Sequence, residues 1–236
     1  MVSLGQGPVP GKINLIFVPR EIKAFYWQYK KLKHNALATY YSTHSRPLFT
    51  MACPNTVTTK NLSGKLRLNK TLSDDIDETL KLQGVGYIKR TAIANFTLTL
   101  EPTQFTDDDG VEHIDVKQTL SGGFKAPADG LLLNGEEISK NDDLFGHLIA
   151  KSWRAKVDDL EIDFLKEGWS EDTLEDGLIA GIVKSDTAKS GRDWIINVVW
   201  GFAVLEGVRR FARRFRFTTK DRSGPIDVKL YYDYLE

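Results

Sequence analysis

Beyond residue 60, apolar and polar positions alternate with period two through most of the chain, and the departures from that rhythm fall in a few definite places. Leu62, Gly64, Leu66 and Leu68 share one side of an extended segment, with Ser63, Lys65, Arg67 and Asn69 on the other, as in a half-buried strand. The period then lengthens. Ser73 stands before Asp74 and Asp75 as an N-cap followed by first-turn acids, and Ile76 and Leu80 share a helix face. Gly84 ends this helix, and after Gly86 a second begins with Ile88, Ala92, Ile93 and Ala94 on its apolar side. Phe96, Leu98 and Leu100 against Thr97, Thr99 and Glu101 restore period two.

From there the chain reads as strands and turns. Asp107-Asp108-Asp109-Gly110 is a hairpin turn; it lacks the spacing and distal Glu of a calcium loop. Ile114, Val116 and Leu120 mark one face of the next strand, which Gly122-Gly123 interrupts. Short strands are expected around 124–128 and 131–133, with a second hairpin signal at Asn134-Gly135. Residues 144–157 predict a long strand, with Phe145, His147, Ile149, Lys151 and Trp153 on one face and Leu148, Ala150, Ser152 and Arg154 on the other. The pattern is clearest near the C-terminus. Trp194, Ile196, Val198, Trp200, Phe202 and Val204 alternate unbroken, and Glu206-Gly207 makes a turn. Arg209, Phe211, Arg213, Phe215 and Phe217 then oppose Arg210, Arg214 and Arg216. Finally Val228, Leu230, Tyr232 and Tyr234 oppose Asp227, Lys229, Tyr231 and Asp233. About ten strands and one helical pair, joined by short turns, predict a mainly β fold: a closed antiparallel barrel with a helix-turn-helix lid after the first strand.

Two segments differ in charge. Residues 1–50 hold seven of the 32 basic residues and one of the 32 acids, leaving 25 and 31 in 51–236. This basic extension, with Phe25, Tyr26, Trp27 and Tyr29 in it, reads as a targeting segment, a helix for a membrane surface or partner, or an appended stretch without a stable fold. The last is favoured, with Met51 as a natural start for the barrel domain, 51–236. Residues 158–176 carry nine acids against Lys166 alone; Phe164, Leu165 and Trp169 predict an acidic surface insertion whose apolar residues dock on the barrel.

The first strand, the acidic helix start and the run Gly84-Val85-Gly86-Tyr87-Ile88-Lys89-Arg90 resemble the opening of intracellular fatty-acid-binding proteins, most strongly over about forty residues. Most of 51–236 is also similar to a group of small lipocalin-like fungal proteins. The resemblance implies a calycin-type barrel around an apolar ligand, and in the fungal group a role in specialised metabolism, on a terpenoid or polyketide. It maps the carboxylate-gripping Arg-x-Tyr of the fatty-acid binders onto Lys229-Leu230-Tyr231. Periodicity instead sets Lys229 and Tyr231 opposite the apolar face, so the two readings disagree there.

Zero net formal charge gives no nucleic-acid footprint. A single cysteine, Cys53, excludes an intramolecular disulfide and fits a reducing compartment, so a cytoplasmic setting is expected. No apolar run approaches the ~20 residues of a membrane helix. Phosphate loops, dinucleotide fingerprints, CxxC pairs and nucleophile elbows are all missing, and neither a cofactor nor a metal is expected. Barrel chemistry would fall to inward ionisable groups. Arg209 and Arg213 lie among phenylalanines, and a guanidinium so placed needs an anion, from the protein or from a ligand. The candidate ligand-binding set is Trp153, Trp200, Arg209, Arg213, Phe215, Lys229 and Tyr231; the candidate catalytic set is His147, Arg213 and Tyr231. Three functions remain open: a cofactor-free cyclase, isomerase or dehydratase acting on an apolar molecule with an anionic or carbonyl end, a passive lipid carrier, or an interaction module with a filled interior.

Overall fold

The computed structural model describes residues 52–121 and 129–235, with the backbone of 124–125. The basic extension over 1–50 and the Gly122-Gly123 break lie outside the described residues. Eleven strands form one antiparallel sheet: β1 (Lys65–Leu68), β2 (Leu98–Thr106), β3 (Glu112–Leu120), β4 (Phe124–Lys125), β5 (Asp129–Leu132), β6 (Ile138–Asp142), β7 (Gly146–Ala155), β8 (Leu178–Ser185), β9 (Trp194–Leu205), β10 (Val208–Thr219) and β11 (Ile226–Leu235). Ten of them follow the order β4-β3-β2-β1-β11-β10-β9-β8-β7-β6, and β5 pairs with β3 beside β4. The sheet curls, and among the described residues no ladder joins β6 to β4 or β5.

Register follows the sequence alternation. Phe211 lies across from Phe202 and Tyr232, and Arg213 across from Trp200 and Leu230, so the apolar parity of β9, β10 and β11 faces inward together. The β9–β10 hairpin turns through Glu206 and Gly207 at φ 54° and 74°, a left-handed pair that matches strand twist.

Two helices follow β1, α1 (Asp77–Leu82) and α2 (Tyr87–Asn95). Ser73 is not the N-cap of α1. Its Oγ accepts the Tyr231 amide at 2.9 Å, and Asp74 accepts that of Lys229 at 2.7 Å, so this stretch pairs with β11. The helix starts later, after an Asx turn in which Asp75 accepts the Asp77 amide. Gly84 ends it as expected, at φ +83°, with the Arg192 guanidinium occupying the place a Cβ would take. The apolar side expected for α2 is not buried; Ile88 is 51 % exposed.

Two cores flank the β8–β11 wall. Inside, Leu66, Leu100, Ile114, Val116, Phe202, Phe211 and Tyr232 pack with Cys53, Val57 and Leu62 from the segment before β1. Outside, the acidic insertion supplies α3 (Asp163–Lys166) and α4 (Glu171–Asp176). Its Leu165 and Trp169 pack on Ala180, Val199, Ala203, Ala212 and Tyr231, as the sequence predicts. Burying a leucine such as Leu165 contributes ~1.5–3 kcal/mol, enough to offset the ordering of one or two loop residues. A single turn α5 (Thr187–Ser190) links β8 to β9.

Candidate functional site

Between the inner core and a cluster of Leu148, Trp194 and Phe217 nearer α1, the interior is not filled. A cavity of about 220 Å³ has Leu131, Ile138, Ile179, Val198, Phe215 and Leu230 among its walls. A second lobe of about 250 Å³ continues toward α1, and Thr79 and Leu80 of that helix with the flanking Ile76 and Gln83 line it. Asp129, Lys140, Val183, Ile196 and Phe215 belong to both lobes. Lys140 Nζ meets Asp129 Oδ1 at 2.9 Å, an ion pair across the interval between β5 and β6.

Arg213 adds a charge without a carboxylate partner to this space, whose first lobe is also lined by Glu136 and Lys151. Its place follows from parity on β10, which sets it inward between Phe211 and Phe215. The guanidinium carbon lies 3.8 Å from the Trp200 ring centroid and 5.7 Å from that of Tyr232. No carboxylate of the described residues pairs with it, and its buried Nε has no hydrogen-bond partner. Stacking on Trp200 contributes ~0.5–2 kcal/mol but leaves the Nε–H unsatisfied. Tyr232 is 1 % exposed; burial pushes its phenol up, while the positive charge of Arg213 and a hydrogen bond from it pull the other way. With its pKa still above the ordinary value, the phenol stays protonated near neutral pH, but Tyr232 packs in the inner core and lines neither lobe. Ser152 completes the polar end: it is buried in the same wall, and its hydroxyl makes no hydrogen bond among the described residues. The arrangement suits a ligand oxygen, carbonyl or anionic, held in an apolar surround.

The other sequence candidates divide by place. Trp200 and Phe215 line the cavity with Arg213. Arg209 has the same parity but lies at the far end of β10, stacked on Phe202. Its donors go to the carbonyls of Cys53, Pro54 and Val57 and to the Asp172 carboxylate. Lys229 and Tyr231 lie on the outer face, Lys229 over Phe164 and Tyr231 under the insertion. This resolves the disagreement between resemblance and periodicity in favour of periodicity. His147 and Trp153 line neither lobe; Trp153 carries Lys151 over its ring and packs on the outer core, and the His147 carbonyl accepts the Asp186 amide. Missed at the sequence level were Ser152 and the lining of the second lobe.

The interior closes at its other end on a polar cluster. Arg154 donates to Glu112 Oε2 at 2.9 Å and to the Thr59 carbonyl at 2.6 Å, and Gln104 also donates to Glu112. Burial acts to raise the Glu112 carboxyl, but hydrogen bonds from Arg154 and Gln104 outweigh it and hold the group below its ordinary value. Among the described residues, no three His, Cys, Asp or Glu side chains form a metal-holding group, and no helix is long and apolar enough to cross a membrane.

No family model matches the sequence. The chain is 25% identical over 189 residues to a probable pericyclase, scpY, of Mollisia scopiformis, covering 78% of this chain and 95% of that protein. Among solved structures it is similar to lipid binding protein 8 of Caenorhabditis elegans, at 14% identity and a TM-score of 0.45 over 73% of this chain and 94% of the other. It is likewise similar to fatty-acid-binding protein 1 of Echinococcus granulosus, at 12% identity and a TM-score of 0.45 over 74% and 97%.

Proposed function

We propose that this chain binds an apolar small molecule inside its curled sheet, with a carbonyl or anionic end on Arg213, and catalyses a cofactor-free ring closure or isomerisation of that molecule. The observation that carries the reading is the Arg213 guanidinium, without a carboxylate partner, its buried Nε lacking an acceptor, in the wall of a cavity whose other charged lining residues include the paired Asp129 and Lys140. In this proposal the sheet closes on itself through the Asp129–Lys140 pair, α1 and α2 act as the lid, and 1–50 is an appended segment. The expected setting is the cytoplasm of a fungal cell making a terpenoid or polyketide product. The relative described as a probable pericyclase supports that direction.

A pericyclic step makes and breaks its bonds together around a ring, so it asks for shape and polarisation rather than proton transfer. Trp200, Val198, Phe215 and Leu230 would hold the segment next to the polar end folded with its reacting carbons close. Arg213 would draw electron density onto the ligand oxygen.

The test is Arg213→Met, which keeps most of the volume and removes the charge. An interior ion held for structure costs stability when removed; one held for a ligand is a burden on the empty protein. The variant should melt at a higher temperature than the parent and bind an apolar anion, anilinonaphthalene sulfonate, at least tenfold more weakly. A lower melting temperature with unchanged dye binding overturns the reading. Native mass spectrometry of protein from its source cells then separates an enzyme, which releases a cyclised product, from a carrier, which releases straight-chain lipid.

A further inference from the structure

Four buried side-chain nitrogens among the described residues have no hydrogen-bond partner: Arg154 Nη1, Arg214 Nε, Arg213 Nε and Trp194 Nε1. The first two line neither lobe of the cavity. The last two do, and they fall one to a lobe, Arg213 in the first and Trp194 in the second. Buried donors nearly always find an acceptor in the working molecule. We infer that the ligand has two polar ends, the second an oxygen acceptor such as a hydroxyl or carbonyl seated against the Trp194 indole N–H beneath α1. This rests on the reading of Arg213 as the first anchor.

The geometry of β9 sets the span. Trp194 and Trp200 share its inward parity and stand six residues apart, so their levels differ by about 20 Å along the strand. Arg213 sits directly across from Trp200. The lobes between these levels share Asp129, Lys140, Val183, Ile196 and Phe215, and so form one continuous interior. A molecule reaching both donors is therefore elongated.

Trp194 is built as an anchor. It is 1 % exposed, stacked on Phe217 at 6.4 Å and edge-on to Phe145 at 6.1 Å, so the ring cannot swing to find another acceptor. Across the lobe, Gln83 is also buried, and its side-chain amide makes no hydrogen bond among the described residues. An amide offers both donor and acceptor, which fits a hydroxyl end that must give one hydrogen bond and take another.

The experiment compares two probes of equal length, hexadecanoic acid and its ω-hydroxy derivative, by calorimetry on the full chain. The expected result is that the hydroxylated probe binds about tenfold more tightly. In Trp194→Phe that ratio should fall to about one. If Trp194→Phe does not fold, Gln83→Leu is read for the same fall. Equal binding of both probes to the parent, as when a water alone meets the indole, overturns the second anchor and leaves the cavity reading standing. A ratio that persists in the variant overturns it as well. Failure of both probes to bind the parent overturns the cavity reading, and this inference with it.

Discussion

Arg210 and Arg213 lie three residues apart on β10, and opposite consequences follow from removing the charge around each. Arg210 is buried on the outer face with its charge paired. Its Nε donates to Asp233 Oδ1 at 3.1 Å, its Nη1 donates to the Leu205 carbonyl, and Asn69 donates to the other Asp233 oxygen at 2.9 Å. Both members of the ion pair are nearly solvent-free. Asp233→Ala strands a buried guanidinium, and the expected loss is ~3–5 kcal/mol in urea unfolding. The double variant Arg210→Met with Asp233→Leu should recover most of that loss, because the desolvation of both ions disappears with them. Recovery would show that the pair, rather than the packing of either side chain, sets the cost. Arg213 has no such partner, and this is why its neutral replacement is expected to stabilise.

At the scale of elements, the segment before β1 seals the interior at the end away from α1. The Cys53 amide donates to the Arg209 carbonyl at 2.8 Å, Arg209 in turn holds three carbonyls of the segment, and Asp172 of the insertion holds Arg209. Burial pushes the Cys53 thiol from 9.0 up to about 11, against the smaller opposing pull of Arg209. At pH 8 the native thiol should therefore resist iodoacetamide and be alkylated only when the segment lifts. Asp172→Ala, which loosens Arg209, should speed alkylation several-fold with little change in global unfolding. If the rate does not change, the segment is held by its apolar residues alone. The same contacts explain what the sequence could not reveal. Parity along β10 correctly sent Arg209 and Arg213 to one face, but four residues place them about 13 Å apart along the strand. One meets the sealing segment and the other meets the cavity, and depth along a strand leaves no mark in an alternating pattern. On β11 the pattern was sufficient: its parity sends Leu230 to the cavity wall and Tyr231 to the outer face.

For the whole molecule, the β8–β11 wall is covered on both faces, and ion pairs hold the covers in place. β6 and β8 were not read as strands, whereas the helical pair and the insertion were legible because each carries a break in period or a change in charge. The outer core was less so, since Val199, Gly201, Ala203 and Ala212 are small and read as a neutral face until the insertion packs on them. This dependence on ion pairs predicts how the fold responds to acid. In both Glu112 and Asp172, burial acts to raise the carboxyl, and hydrogen bonds from Arg154 and Arg209 respectively, each with help from a neighbour, prevail and hold it below its ordinary value. A carboxyl depressed on folding stabilises the folded state fully above its unfolded pKa, near 4, and that contribution is lost as pH falls through the lower folded value. Stability measured by urea unfolding should therefore be flat from pH 7 to about 5 and decline below it. Glu112→Gln should lower stability at pH 7 and make the decline shallower, because the uncharged amide has no proton to take up. An acid limb as steep in Glu112→Gln as in the parent would mean that the Arg154 cluster does not couple folding to pH, leaving the Arg209–Asp172 pair to carry the effect.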